Sequence, residues 1–175
     1  MKATSLLTAV TLAGLFAVPG GPAPRGSTLD AGAAFERMKA LQGTWEAPGR
    51  NGQKATTRFE LVANGSVLME HYSNPSLPGG GHMVSAYHLD GETLVLTHYC
   101  IAKNQPTLRA ERFDAAKGEV QFEFLRAMNL PSEKVGHMRR ALYRLEGADR
   151  FTTEWEFFED GKKVMTEVEE FGRVK

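Results

Sequence analysis

From Gly43 onward the chain alternates apolar and polar residues in short runs, and each run ends at a reverse-turn signal: Asn64-Gly65, Asp90-Gly91, Ala115-Ala116-Lys117-Gly118, Gly147-Ala148-Asp149 or Asp160-Gly161. Alternation places successive side chains on opposite faces of a strand, and turns spaced about eight to twelve residues apart join such strands as antiparallel hairpins. The pattern predicts about ten strands. A sheet of that length removes its unpaired edges by closing on itself. The expected fold is therefore all-β, an antiparallel up-and-down β-barrel of about ten strands, preceded by one short helix. No internal repeat points to a propeller or solenoid.

Counting outward from the turns assigns the faces. Around Asn64-Gly65, the residues Phe59, Leu61, Leu68, Glu70 and Tyr72 share one face, taken as inward. Around Asp90-Gly91, the leucine-rich face carries Met83, Ser85, Tyr87, Leu89, Leu94, Leu96, His98 and Cys100. Val120, Phe122 and Phe124 are expected inside. If Phe113 lies opposite Val120, unbroken alternation brings Arg109 and Glu111 to that same inner face, with Arg109 beside His98; a bulge would reverse them. The last hairpin is expected to align Phe151, Thr153, Trp155 and Phe157 with Val164, Thr166, Val168 and Glu170. Two long connections, Asn74 to Gly81 and Arg126 to His137, are placed to cover a barrel mouth.

Lys2, the apolar run Leu6 to Val18 and the break at Pro19-Gly20-Gly21-Pro22 form the pattern of an export signal. The expected organisation is a signal peptide over 1–20, a flexible tether over 21–29 and a barrel domain over 30–175, placed in the periplasm or outside the cell. The apolar run is short for a bilayer span, and an uncleaved N-terminal anchor is the alternative. Asp30 is positioned to cap a helix reaching Leu41, with Phe35, Met38 and Leu41 along its apolar edge. Lys plus Arg number 21 and Asp plus Glu number 21, so no cationic excess favours nucleic acid. Cys100 is the only cysteine, which excludes an internal disulfide or a multi-thiolate metal centre within one chain.

The helix Phe35 to Leu41, Gly43-Thr44-Trp45 at the first strand, the hairpin series and Arg173 near the end together resemble the calycin superfamily, the lipocalins and fatty-acid-binding proteins. Within it they look most like bacterial lipocalin-like secreted proteins without an assigned activity. The resemblance implies that Trp45 plugs a closed barrel end beside Gly43 and that Arg173 packs across it. It implies neither fatty acid nor haem: the Thr-Asp-Tyr and Arg-x-Tyr signatures are missing, and no histidine follows His137 to serve a nitrobindin-like haem site. No cofactor is expected.

The candidate site is the inward set Glu70, Tyr87, His98 and Arg109, facing Phe122, Phe124 and Trp155. Mostly apolar walls with a few convergent polar groups characterise small-molecule pockets. In such a pocket Arg109 would hold a carboxylate or phosphate, and His98 with Tyr87 would orient a hydroxyl or carbonyl. An internal ion pair that only stabilises the barrel is the competing reading. His82 and His88 fall on the outer face, His71 at a strand end and His137 in a loop, so no metal site is expected. Nucleophile-elbow, P-loop, zincin and dinucleotide motifs are missing. The sequence therefore favours noncatalytic binding of a small, largely apolar or amphipathic molecule. The alternatives are a small barrel enzyme using His98 with a carboxylate, and a packed interaction domain without a ligand. The oligomeric state is not legible.

Overall fold

The computed structural model describes residues 30–49 and 52–175. The expected signal peptide and the tether lie outside the described residues. One helix, α1 (Ala31–Lys39), precedes β1 (Gly43–Pro48), β2 (Lys54–Val62), β3 (Val67–Ser73), β4 (Met83–Asp90), β5 (Thr93–Tyr99), β6 (Gln105–Asp114), β7 (Glu119–Met128), β8 (His137–Leu145), β9 (Arg150–Glu159) and β10 (Lys162–Arg173). Each strand pairs antiparallel with its sequence neighbour, and β10 meets β1 to close the barrel. Among the described residues no helix is long and apolar enough to cross a membrane.

Asp30 caps α1 by accepting a hydrogen bond from the Ala33 amide at 2.8 Å. The helix buries Ala34, Phe35 and Met38 against one end of the barrel, and Leu41 follows them into the core. There the Trp45 indole N–H donates to the Leu41 carbonyl at 2.7 Å. The Arg173 guanidinium lies 3.9 Å from the Trp45 ring centroid, a cation held on an aromatic face. It also donates to the carbonyls of Ala40 at 3.0 Å, Gln42 at 2.6 Å and Ala148 at 2.8 Å. This accounts for Gly43. Its φ is +119°, a conformation that favours glycine, and a Cβ there would come within 2.8 Å of Arg173 Nη1 and displace the guanidinium from its carbonyl partners.

Above this plug the closed half of the barrel is filled by aromatic rings. Phe151 stands edge-on to Trp45 at 4.8 Å and stacks on Phe171 at 4.8 Å. Tyr87, Phe122 and Tyr143 then contact one another at centroid distances of 5.8 to 6.2 Å. All are essentially inaccessible to water.

The first two hairpins have the expected register: Phe59 pairs with Glu70, Leu61 with Leu68, Tyr87 with Leu96 and Ser85 with His98. Two later strands depart from it. In β6, Phe113 does pair with Val120, but the register shifts between Ala110 and Arg112, so that Ala110, not Glu111, faces inward opposite Phe122. Arg109 consequently pairs with Val95 and points to solvent, ion-paired to Glu111 at 2.5 Å. It is not beside His98. In β10, a shift between Lys163 and Met165 aligns Phe157, Trp155, Thr153 and Phe151 with Met165, Glu167, Glu169 and Phe171. Val164 and Val168, expected inside, are each 55% exposed. In each case a β-bulge adds one unpaired residue and turns over every side chain beyond it.

Candidate functional site

At the other end of the barrel, the aromatic packing gives way to polar residues carried by adjacent strands. Glu70 of β3, Ser85 of β4 and His98 of β5 are direct cross-strand neighbours on the inner face, all buried. Four hydroxyls converge on Glu70. Tyr87 donates to its Oε2 at 2.5 Å, Tyr143 to the same oxygen at 3.2 Å and Thr57 to Oε1 at 3.1 Å, and Ser85 is the fourth partner. Burial pushes the Glu70 carboxyl above its usual range, and these hydroxyls pull in the opposite direction.

Ser85 Oγ is also 3.0 Å from His98 Nδ1. Ser85 thus stands between the His98 ring and the Glu70 carboxyl, its hydroxyl within reach of both. The opposite ring nitrogen, Nε2, is buried and has no hydrogen-bond partner among the described residues. Burial lowers the His98 pKa to about 4, keeping the ring neutral at physiological pH. Its other neighbour is the Trp155 ring, at 4.9 Å.

His98 and Trp155 line an inner cavity of about 30 Å³, with Glu70, Met83, Met138, Glu167 and Glu169 among its other walls. On a measure in which one water needs roughly 10–15 Å³, this is room for about two waters or one small polar group. Met83, Met138 and Glu167 also line an outer vestibule of about 760 Å³, so the two spaces meet at these residues. Leu77, Pro78, Ile101, Phe157 and Met165 give the vestibule an apolar wall. The 74–81 connection thus takes part in the barrel mouth, as anticipated.

Glu169 sits on the inner face of β10 near the seam with β1. Only Trp45 and Glu46 of β1 pair with β10, and Pro48, which has no N–H, ends the shorter strand. Across this seam the Tyr72 hydroxyl donates to Glu169 Oε1 at 2.9 Å, and Asn74 Nδ2 donates to the Tyr72 oxygen at 3.1 Å. Burial raises the Glu169 carboxyl to about 7; the Tyr72 hydrogen bond opposes this, and the charges of Glu167 and Glu70 add to it.

The residues proposed from sequence separate into three groups. Glu70, His98 and Trp155 line the cavity. Tyr87 and Phe122 are inward but belong to the filled half, where Tyr87 anchors Glu70. Phe124 is only half-buried; it packs 5.0 Å from His137 and under the Arg139 guanidinium at 4.5 Å, away from the cavity. Arg109 is outside altogether. His137, expected in a loop, begins β8 and is fully buried, its Nδ1 donating to the Val135 carbonyl at 2.6 Å. Ser85 already stood on the predicted inner face, without a role. Glu167 and Glu169 were missed, because the β10 bulge reverses the apparent apolar face. No family model and no curated protein matches this chain.

Proposed function

We propose that this protein is a secreted calycin-type barrel that binds or carries a small amphipathic molecule at its open end, without transforming it. The observation that carries this reading is the division of the interior. The half nearest α1 is packed solid with aromatic rings, whereas the other half holds a small chamber, reached by a few polar side chains, that shares the walls Met83, Met138 and Glu167 with a larger vestibule. A domain that only needed a core would be expected to fill both halves, since interiors pack densely. The combination of apolar walls and few polar groups is that of a ligand site.

The polar ladder favours binding over catalysis. Ser85 lies between His98 and Glu70, so the histidine meets a hydroxyl and not a carboxylate that would orient it as a base. The sequence-level resemblance to calycins and the export-type N-terminus support the same reading. Its test is native mass spectrometry of the full protein purified from its source, combined with displacement of an apolar fluorescent dye. The expected result is a bound small molecule or dye binding that Met138→Trp, which fills the neck, abolishes. Dye binding unaffected by Met138→Trp, with only ligand-free protein by mass, contradicts it.

A further inference from the structure

We infer that the inner cavity is a site for a soft monovalent metal ion, of the class of Cu(I) and Ag(I), held by Nε2 of His98 and the thioether sulfurs of Met83 and Met138. This goes beyond the carriage of an amphipathic molecule and does not depend on it.

The donors come from three strands and meet at one small space. His98 of β5 pairs with Ser85 of β4, and Met83 lies two residues from Ser85 on the same inner face. Met83 is therefore diagonal to His98, a backbone separation of about 7–8 Å that a methionine side chain spans. Met138 reaches the same cavity from β8, where it pairs with Phe157 of β9. All three side chains are buried, and Nε2 of His98 lacks a hydrogen-bond partner among the described residues, which is uncommon for a buried polar atom. The cavity of about 30 Å³ has room for about two waters, so an ion entering it exchanges its hydration for protein donors. The Trp155 ring, 4.9 Å from His98, adds an aromatic wall that stabilises positive charge.

The donor set selects the kind of ion. Zinc, calcium and magnesium draw on His, Cys, Asp and Glu side chains, and among the described residues no three of these come together to hold an ion. Thioethers select Cu(I), and imidazole also suits copper. Histidine spacing offers no second imidazole, and a soft ion needs none when two sulfurs complete the set. Met83 and Met138 also line the vestibule, where Met165 joins them, so thioethers mark the path inward. Behind the imidazole, Ser85 Oγ stands 3.0 Å from Nδ1 and is bonded in turn to Glu70. Metal-bound histidines use their second ring nitrogen in this way, which fixes the ring's orientation and raises its basicity. An ion on Nε2 places the ring proton on Nδ1, facing Ser85, whichever nitrogen carries it beforehand.

The test is titration of the full protein with Ag(I), and without oxygen with Cu(I) against a coloured Cu(I) chelator. It is run on the unmodified chain and on Cys100→Ser, because the Cys100 thiol would take a soft ion by itself. Native mass spectrometry counts the ions, and NMR of methyl-labelled methionine locates them. Cys100→Ser is expected to hold one ion per chain, with the Met83 and Met138 methyl signals shifting and those of Met38 and Met69 staying in place. Zn(II) is expected to move none of them. Met83→Leu with Met138→Leu, a swap of similar volume, is expected to abolish binding, and Ser85→Ala to weaken it by about ten- to a hundredfold. Binding lost in Cys100→Ser, an ion that leaves both methyl signals unmoved, or binding that survives the double leucine replacement overturns the inference. Should the double variant not fold, the methyl shifts of Cys100→Ser decide. A negative result leaves the dye-binding test of the vestibule unaffected.

Discussion

Replacing Glu169 by glutamine is expected to stabilise the ligand-free protein, and only at neutral to alkaline pH. Gln retains an oxygen to accept the Tyr72 hydroxyl but carries no charge. In the folded protein Glu169 titrates at about 7 against an ordinary 4.5, so between these values the folded state holds a proton that the unfolded state has released. Stability falls as pH rises through that window. The difference corresponds to about 3 kcal/mol above pH 7. Water reaching the seam between β1 and β10 reduces this to about 1–3 kcal/mol. For a chain of this length the melting temperature shifts by roughly 2–4 °C per kcal/mol. Glu169→Gln should thus melt several degrees higher than the unmodified protein at pH 8 and together with it at pH 4.5. Urea titrations across pH 4.5 to 8 measure the difference directly. A gain independent of pH, or a loss of stability at pH 8, would refute the assignment of Glu169 as a carboxylate held at a cost inside the barrel.

Three other substitutions separate structural from ligand-facing residues. Trp45→Ala should destabilise by about 3–5 kcal/mol in chemical denaturation, because it empties the closed end and strips Arg173 of its ring; a stable variant with altered ligand preference would reverse the roles given to the two barrel ends. Arg109→Ala should change stability by less than about 1 kcal/mol and leave ligand binding intact, as expected for an exposed ion pair; a loss of binding would place Arg109 at the site after all. His98 is lowered to about 4 from 6.5, so the folded state resists protonation and loses stability as pH falls through that window. His98→Gln should therefore reduce acid destabilisation between pH 6.5 and 4 by about 3 kcal/mol, and an imidazole resonance titrating near 6.5 would contradict this.

How far the sequence discloses the site depends on distance from a tight turn. Glu70, Ser85, Tyr87 and His98 lie in hairpins whose register continues unbroken from Asn64-Gly65 and Asp90-Gly91, so counting residues finds their common inner face. Trp45, Gly43 and Arg173 were found by resemblance, and the geometry of the plug explains all three. Arg109 and the β10 glutamates defeat the same counting, because bulges near Glu111 and Val164 follow correctly paired residues and leave no local sign in the alternation. In β10 the error is informative. Two valines are exposed while two half-buried carboxylates face the cavity, the opposite of what burial of apolar surface favours. Local rules are broken most often where function constrains a site, and this strand forms a wall of the cavity.

The chain has two tryptophans, Trp45 in the closed plug and Trp155 in the cavity wall, and they provide the most direct test of where a ligand sits. The measurement is a titration of the isotope-labelled protein with the apolar fluorescent dye, following the two indole N–H resonances by NMR. The Trp155 signal is predicted to move saturably while the Trp45 signal stays in place. If neither moves at saturating dye, or if Trp45 responds and Trp155 does not, the open end of the barrel is not a ligand site.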